Sequence, residues 1–247
     1  MRHFYTLIVS LLLTTTLFAQ KVDYDNDSRW FWGLNIGATW TKTDIPHKLD
    51  LGYGLILGHQ FNYNYGRPVS FDLRARYLTG LWKGYSTDSV NVSGNPVYSD
   101  YNSQGDPVAL NFGTRLHELS LELAIHLNRL RERTGWDPYI FGGIGYTWYR
   151  AKGDLYGSDG YTYQYDSVKI ANGTYTQTEI QALTDKKFET NLNAPASMGR
   201  FMPSVGIGLG YQAGKWFSLG IEHKTTFTMT DNFDGHVQAK GKYKNDW

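Results

Sequence analysis

Seven separate stretches between residues 29 and 230 alternate apolar and polar positions with a period of two. In Arg29–Thr43 one face carries Trp30, Trp32, Leu34, Ile36, Ala38 and Trp40, and the other Phe31, Gly33, Asn35, Gly37, Thr39 and Thr41. Leu49–Tyr63 sets Leu49, Leu51, Tyr53, Leu55, Leu57, Phe61 and Tyr63, interrupted by His59, against Asp50, Gly52, Gly54, Gly58, Gln60 and Asn62. Val69–Trp82 sets Val69, Phe71, Leu73, Ala75 and Tyr77 against Ser70, Asp72, Arg74 and Arg76. Leu116–Asn128 sets Leu119, Leu121, Leu123, Ile125 and Leu127 against Ser120, Glu122, Ala124 and His126. Tyr139–Arg150 is a weaker case, with Ile140, Ile144, Tyr146 and Trp148 on one face. Phe201–Gln212 opposes Phe201, Val205, Ile207, Leu209 and Tyr211 to Ser204, Gly206, Gly208 and Gly210. Phe217–Thr230 opposes Phe217, Leu219, Ile221, Phe227 and Met229 to Ser218, Glu222, Lys224, Thr226 and Thr228. A period of two is the signature of strands with one face apolar, so the expected class is all-β.

The lengths point further. Several stretches reach 11 to 14 residues, where ordinary globular strands average about 5 or 6 and a tilted membrane strand needs about 9 to 11. Ten steps of about 3.3 Å separate Trp30 from Trp40, and tilted about 40° they rise roughly 25 Å, the height of a lipid-facing band between aromatic girdles. The connections alternate as well. Asn64–Pro68, the Arg-rich Arg129–Pro138 and Ala213–Trp216 are short, whereas Lys83–Arg115 and Ala151–Arg200 are long and polar. The first outward connection, around Asp44–His47, is a short exception. Short turns on one side and long loops on the other is the arrangement of an antiparallel transmembrane β-barrel with the long loops outside the cell. Seven strands are an odd number, and a bacterial single-chain barrel needs an even one. Asp231–Trp247 reads as an external loop rather than a returning strand, so the expectation is an eight-stranded type whose last strand is missing from this chain.

Composition supports export. Met1–Ala19 reads as a cleaved signal peptide: Arg2 supplies the positive end, Phe4–Leu13 the apolar stretch and Leu17-Phe18-Ala19 a cleavage site before Gln20. Its apolar stretch falls short of the roughly 20 residues of a membrane-spanning helix. Residues 20–28 then form a periplasmic lead and residues 29–247 the barrel. The chain has no cysteine, which excludes a disulfide framework, a thiolate metal site and a lipoprotein anchor. A net charge of +1 gives no reason to expect nucleic acid as a partner.

Candidate chemistry is sparse. His117-Glu118 opens a zinc-protease pattern, but Leu121 stands where the second histidine belongs and the segment reads as strand. The glycines of Gly52–Gly58 precede no helix and read as a small inward surface rather than a phosphate loop. His117, His223 and His236 have no evident serine and acid beside them for hydrolysis. No catalytic group, metal or cofactor is expected. Two groups are singled out by position. Asp72, Arg74, Arg76, Glu122, Glu222 and Lys224 face inward, and all but Asp72 fall near mid-height. Their charges sum to zero, which suits an ion network filling the lumen. Trp30, Trp32, Trp40, Trp148 and Trp216 suit an aromatic girdle. Asp88-Ser89-Val90 and Asp166-Ser167-Val168 match an Asp-Ser-apolar pattern for O-glycosylation at Ser89 and Ser167. Tyr156, Tyr161, Tyr163 and Tyr165 stud the second long loop, as suits either recognition or packing of the loop on itself.

Pro138–Tyr146 (PYIFGGIGY), Met202–Tyr211 (MPSVGIGLGY) and Gly220–Thr228 (GIEHKTTFT), with the signal peptide, give a pattern that resembles the N-terminal barrel of OmpA-like outer-membrane proteins. The resemblance implies an eight-stranded barrel, often followed by a periplasmic domain that binds peptidoglycan; no such domain is within these residues. The expected function is non-catalytic: an anchor or scaffold in the bacterial outer membrane, with lipid and other proteins of an outer-membrane complex as partners. A narrow pore for small solutes and a surface adhesin or receptor are the alternatives. The loop lengths generate a first prediction. Protease added to whole cells cuts within Lys83–Arg115 or Ala151–Arg200, and cleavage confined to the short turns would invert the topology.

Overall fold

The structure is a computed structural model that describes residues 30–43, 45–90, 96–102, 108–165, 176–192, 198–214, 216–229 and 233–235. It is built on one antiparallel sheet curled into a half-barrel. The strands are β1 (Trp30–Thr39), β2 (His47–Lys48), β3 (Asp50–Phe61), β4 (Val69–Val90), β5 (Val108–Leu127), β6 (Trp136–Gly153), β7 (Thr190–Asn191), β8 (Met198–Gln212) and β9 (Ser218–Thr226). The hydrogen-bonded path runs β1–β3–β4–β5–β6–β8–β9, with β2 added to β4 and β7 to β6. The seven long strands correspond to the seven alternating stretches. Every neighbour reverses direction along that path, so β1 and β9, at its two ends, run the same way. Across the gap between them the Trp40 and His223 rings stack at 5.5 Å.

Register makes the alternation a physical surface. Leu34 opposes Leu55, Leu55 opposes Tyr77, Tyr77 opposes Leu119, and Leu119 opposes Tyr146. These outward rows are exposed: Ile36 keeps 78% of its surface and Ile221 82%. The inward positions carry the polar side chains, and most are buried. Glycines let the concave face accept rings. A Cβ on Gly206 would lie 2.2 Å from the Phe141 ring, and one on Gly208 2.2 Å from that of Tyr139, so each ring lies flat on the neighbouring strand's backbone.

Two expectations about connections need correction. Arg129–Pro138 is not a plain turn. Asn128–Thr134 forms a helix ended by Gly135 at φ 79°, whose N–H donates to the Arg131 carbonyl, and β6 begins at Trp136. Lys83–Arg115 and Ala151–Arg200 are not simply loops either. β4, β5 and β6 run on well past the predicted ends to 22, 20 and 18 residues. The alternation fades there because the added lengths are enclosed by other segments on both faces, which removes the polar side of the pattern. In contrast β1 and β9 end short of the predicted Thr43 and Thr230.

The extensions build a second core at the loop end. Ile45, Tyr98, Val108, Phe112, Ala151, Leu155 and Leu192 pack together, and beside them Tyr85, Ala109 and Ile180. Ile180 comes from the helix Gln177–Leu183, which a capping box starts: the Glu179 N–H donates to the Thr176 hydroxyl and the Thr176 N–H to the Glu179 carboxylate. Asn111 ties the base of this module to β6, its amide donating to the Asp154 carbonyl at 2.8 Å and its Oδ1 accepting the Asp154 N–H at 2.7 Å. Phe112 is fully buried, so Phe112→Ala removes about 3–5 kcal/mol from this module. The expected readout is rapid trypsin cleavage at Lys152, Lys186 or Lys187 while the outward apolar strands stay protected; resistance equal to the unmutated protein would show that the module has no cooperative core.

Candidate functional site: a charged core on the concave face

Arg74 and Arg76 are two residues apart on β4, so both project to the concave side, and register sets Glu122 of β5 directly opposite Arg74. Glu118 lies on the same face of β5, four residues before Glu122. The curl of the sheet then brings β9 over them. Arg76 Nε donates to Glu122 Oε2 at 3.1 Å, and its NH2 donates to Glu222 Oε2 at 2.5 Å. Arg74 NH1 donates to Glu222 Oε1 at 2.9 Å. Its Nε lies 3.0 Å from Glu122 Oε2 but is poorly aligned, an ion pair rather than a hydrogen bond. Lys224 Nζ reaches Glu118 Oε1 at 2.5 Å, Glu122 Oε1 at 2.9 Å and the Ser120 hydroxyl at 3.2 Å.

Three cations thus meet three carboxylates. Glu122 is fully buried, and Arg74, Arg76 and Glu118 nearly so. Desolvation at such a position costs several kcal/mol per ion and is offset only where every charge has partners. Aromatic groups line the network: the Tyr139 hydroxyl donates to Glu222 Oε1 at 2.6 Å, and the Arg74 guanidinium lies 4.3 Å from the centre of the Phe141 ring. Opposite Glu122 and Ser120 stand Gly143 and Gly145. A Cβ on Gly143 would meet Glu122 Cγ at 2.9 Å, and one on Gly145 would meet Glu118 Oε1 at the same distance, so the carboxylates occupy space that only glycine leaves.

The structure places Asp72 elsewhere. Of the six residues singled out by sequence, the other five share the network, and Asp72 belongs to a second cluster at the turn end. There the His126 ring stands between two carboxylates, Nε2 2.9 Å from Asp72 Oδ2 and Nδ1 2.9 Å from Asp137 Oδ2. Arg131, from the helix, lies 3.4 Å from Asp137 and over the Tyr63 ring at 4.4 Å. Glu118, Asp137 and Arg131 were not anticipated. Glu118 was legible from the same period of two as Glu122. Asp137 and Arg131 were hidden by treating their segment as a turn.

The remaining singled-out residues are dispersed. The indoles Trp30, Trp32, Trp40, Trp148 and Trp216 are all exposed. Rings pair at both ends of the sheet: Trp136 with Tyr211 and Phe61 with Phe71 at the turn end, Tyr146 with Phe201 and His117 with Trp148 towards the loop end. His117 Nδ1 lies 2.8 Å from the Tyr77 hydroxyl and 3.0 Å from that of Thr79, a structural environment. The backbone of Ser89 pairs with Ala109 in β4 and β5, whereas Ser167 and His236 lie outside the described residues. One acidic trio, Asp154, Asp185 and Glu189, brings ligand oxygens within 4.8 Å of one another. Each already accepts hydrogen bonds, from Tyr163 and Lys186, from Lys187, and from Leu155 and Tyr156 respectively. Burial pushes the Asp154 carboxyl above its usual range and holds the Tyr163 hydroxyl protonated well above its own. Comparison with protein-family models, curated proteins and solved structures finds no match to this chain.

Glu122→Gln leaves Arg74, Arg76 and Lys224 facing two carboxylates, and the uncompensated charge is expected to cost about 3–5 kcal/mol. The measure is the urea midpoint of the purified protein. Adding Lys224→Met to Glu122→Gln restores a zero sum and recovers part of the loss; a double variant no more stable than the single one would show that balance is not what holds the cluster.

Proposed function

We propose that this protein is a non-catalytic outer-membrane barrel, exported by its leader, that serves as an anchor or scaffold and is sealed to solutes by its own side chains. The observation that carries the reading is the inverted distribution of residues, with apolar rows exposed outward and charged residues buried inward. A protein bathed in water exposes few contiguous apolar patches beyond a few hundred Å²; rows of Leu, Ile and Trp around the whole sheet suit a lipid solvent. The paired rings at the two ends support it. From Trp136 to Tyr146 is ten strand steps, roughly 25 Å of rise at the tilt of membrane strands. No described helix is long and apolar enough to cross a membrane.

Sealing is supported at three heights. His126, Arg131 and Asp137 fill the turn end, the six-charge network the middle, and Trp82, Leu116, Tyr149, Met202 and Phe233 the loop end. The Phe233 carbonyl accepts from the Thr114 hydroxyl at 2.7 Å, which pins that residue against β5. An eight-stranded barrel is just wide enough for interior side chains to fill. Among the described residues no further strand pairs with the outer edges of β1 and β9, and in lipid those edges need a strand antiparallel to both, because unpaired backbone there costs several kcal/mol per group. Lipid is the proposed first partner, with proteins of an outer-membrane assembly next; a peptidoglycan tether would require a domain other than this one.

Two measurements test the proposal. Fractionated cells should hold the full-length protein in the outer membrane, with the shift in gel mobility on heating that marks a closed barrel. In planar bilayers the same protein should pass no steady current. Recovery from the soluble periplasm would end the membrane reading, and stable nanosiemens openings would replace the sealed scaffold by a pore.

A further inference from the structure

Tyr156, Tyr161, Tyr163 and Tyr165 lie close together in the connection from β6 to β8, and the fold treats them unequally. Tyr163 is fixed: its hydroxyl donates to Asp154 Oδ1 at 2.7 Å and accepts the Asp185 N–H at 2.9 Å. Tyr156 donates to Asp100 at 3.0 Å, and Tyr165 packs against the module's core. Tyr161 keeps three quarters of its surface exposed. It is nevertheless held on a rigid turn. The Gly157 N–H donates to the Tyr161 carbonyl, the Gly160 N–H to that of Gly157, both at 2.8 Å, and Tyr156 bridges to Thr162. The Tyr161 N–H donates to Asp159 Oδ1 at 3.2 Å. A large aromatic ring is thus presented to solvent on a backbone that has lost its freedom beforehand, which lowers the entropic cost of binding.

Beside the ring lies an open depression of about 430 Å³, lined chiefly by Asp159, Tyr161, Tyr163, Gln164, Thr184 and Asp185, with Leu183 at its wall. One wall group is incomplete. Thr184 is 6% exposed and its hydroxyl has no hydrogen-bond partner among the described residues, an arrangement that costs stability unless a ligand or solvent supplies one. Among the described residues no lysine or arginine lines the depression, which disfavours phosphate, sulfate and other anions. The two carboxylates are already engaged, Asp159 by the Tyr161 amide and Asp185 by Lys187 at 3.2 Å, which weakens the case for a cation. A hydroxyl, an amide, carboxylate oxygens and a flat aromatic face remain. That set matches a neutral sugar, whose hydroxyls both donate and accept and whose C–H face lies on an aromatic ring.

We propose that the depression between the Gly157–Gln164 turn and Leu183–Asp185 is a binding site for neutral saccharides, with Tyr161 as the stacking platform and the Thr184 hydroxyl as a buried hydrogen-bonding group. It extends the anchor reading by a recognition role and depends only on the fold of the loop-end module.

The test uses the full-length protein in a detergent without a sugar headgroup. Maltotriose, cellotriose, mannotriose and triacetylchitotriose are each titrated to ~10 mM, the range of weak single-site binding, and followed by saturation-transfer NMR. At least one is expected to bind saturably. Tyr161→Ala should weaken it about tenfold or more, and Thr184→Val about threefold, through the loss of one stacked ring and one hydrogen bond. Tyr65→Ala, an equally exposed tyrosine at the turn end, should leave it unchanged. Trypsin resistance of the loop-end module shows that each variant is folded. Failure of all four sugars to bind the unmutated protein, or equal binding by Tyr161→Ala, overturns the proposal. Tyr161-dependent binding of trilysine without sugar binding would give the depression to a basic peptide instead. These readouts do not depend on where the protein resides, so they fail separately from the membrane reading.

Discussion

Glu122 is a fully buried carboxylate. Arg74, Arg76 and Lys224 answer its charge, and they come from two strands, β4 and β9, separated in the sheet by β5, β6 and β8. A flat sheet would hold β4 and β9 about 19 Å apart, at roughly 4.8 Å per strand, beyond the reach of paired side chains. Only a curled sheet lets Arg76 and Glu222 meet. The ion network and the curvature therefore require each other: without curl the charges are stranded, and without neutralised charges the concave face cannot exclude water at a tolerable cost. Glycine on the facing strands is part of the same constraint, since Gly143, Gly145, Gly206 and Gly208 supply the depth into which carboxylates and rings fit.

This arrangement reverses the usual partition. Apolar side chains hold the loop-end module together, where β4, β5 and β6 outrun the rest of the sheet, but along the shared length of the strands the enclosed side is polar. Two kinds of interior thus sit on the same three long strands. The lower one is held by paired charges and aromatic rings; the upper one resembles the core of an ordinary globular domain. Phe233, packed among Trp82, Tyr149 and Met202, marks the boundary. In the proposed setting that boundary falls where lipid gives way to external water, and the change of packing rule follows the change of solvent outside.

The alternation of residues was enough to find all seven long strands and to assign their faces, since strand periodicity is a local property of the backbone. It also placed Arg74, Arg76, Glu122, Glu222 and Lys224 on one side at similar height. It left out Glu118, which obeys the same period, and grouped with the network Asp72, which it already set off mid-height and which meets His126 at the turn end. It did not foresee the strand extensions, because a segment covered on both faces carries no polar face to alternate with. The helix Asn128–Thr134 was missed beneath a charge-rich stretch that reads equally well as a turn.

By itself the sequence determined the class of structure and the sidedness of each strand, because these depend on residues two apart. It could also balance the inward charges, because addition needs no geometry. Only the tertiary structure decided which charges pair, because β4 and β9 approach through curvature rather than through neighbouring positions. Only it separated Tyr161 from its three anchored companions, since the difference lies in distant partners, Asp154, Asp100 and the module's core. Exposure and partnership are properties of the folded surface, and no local period encodes them.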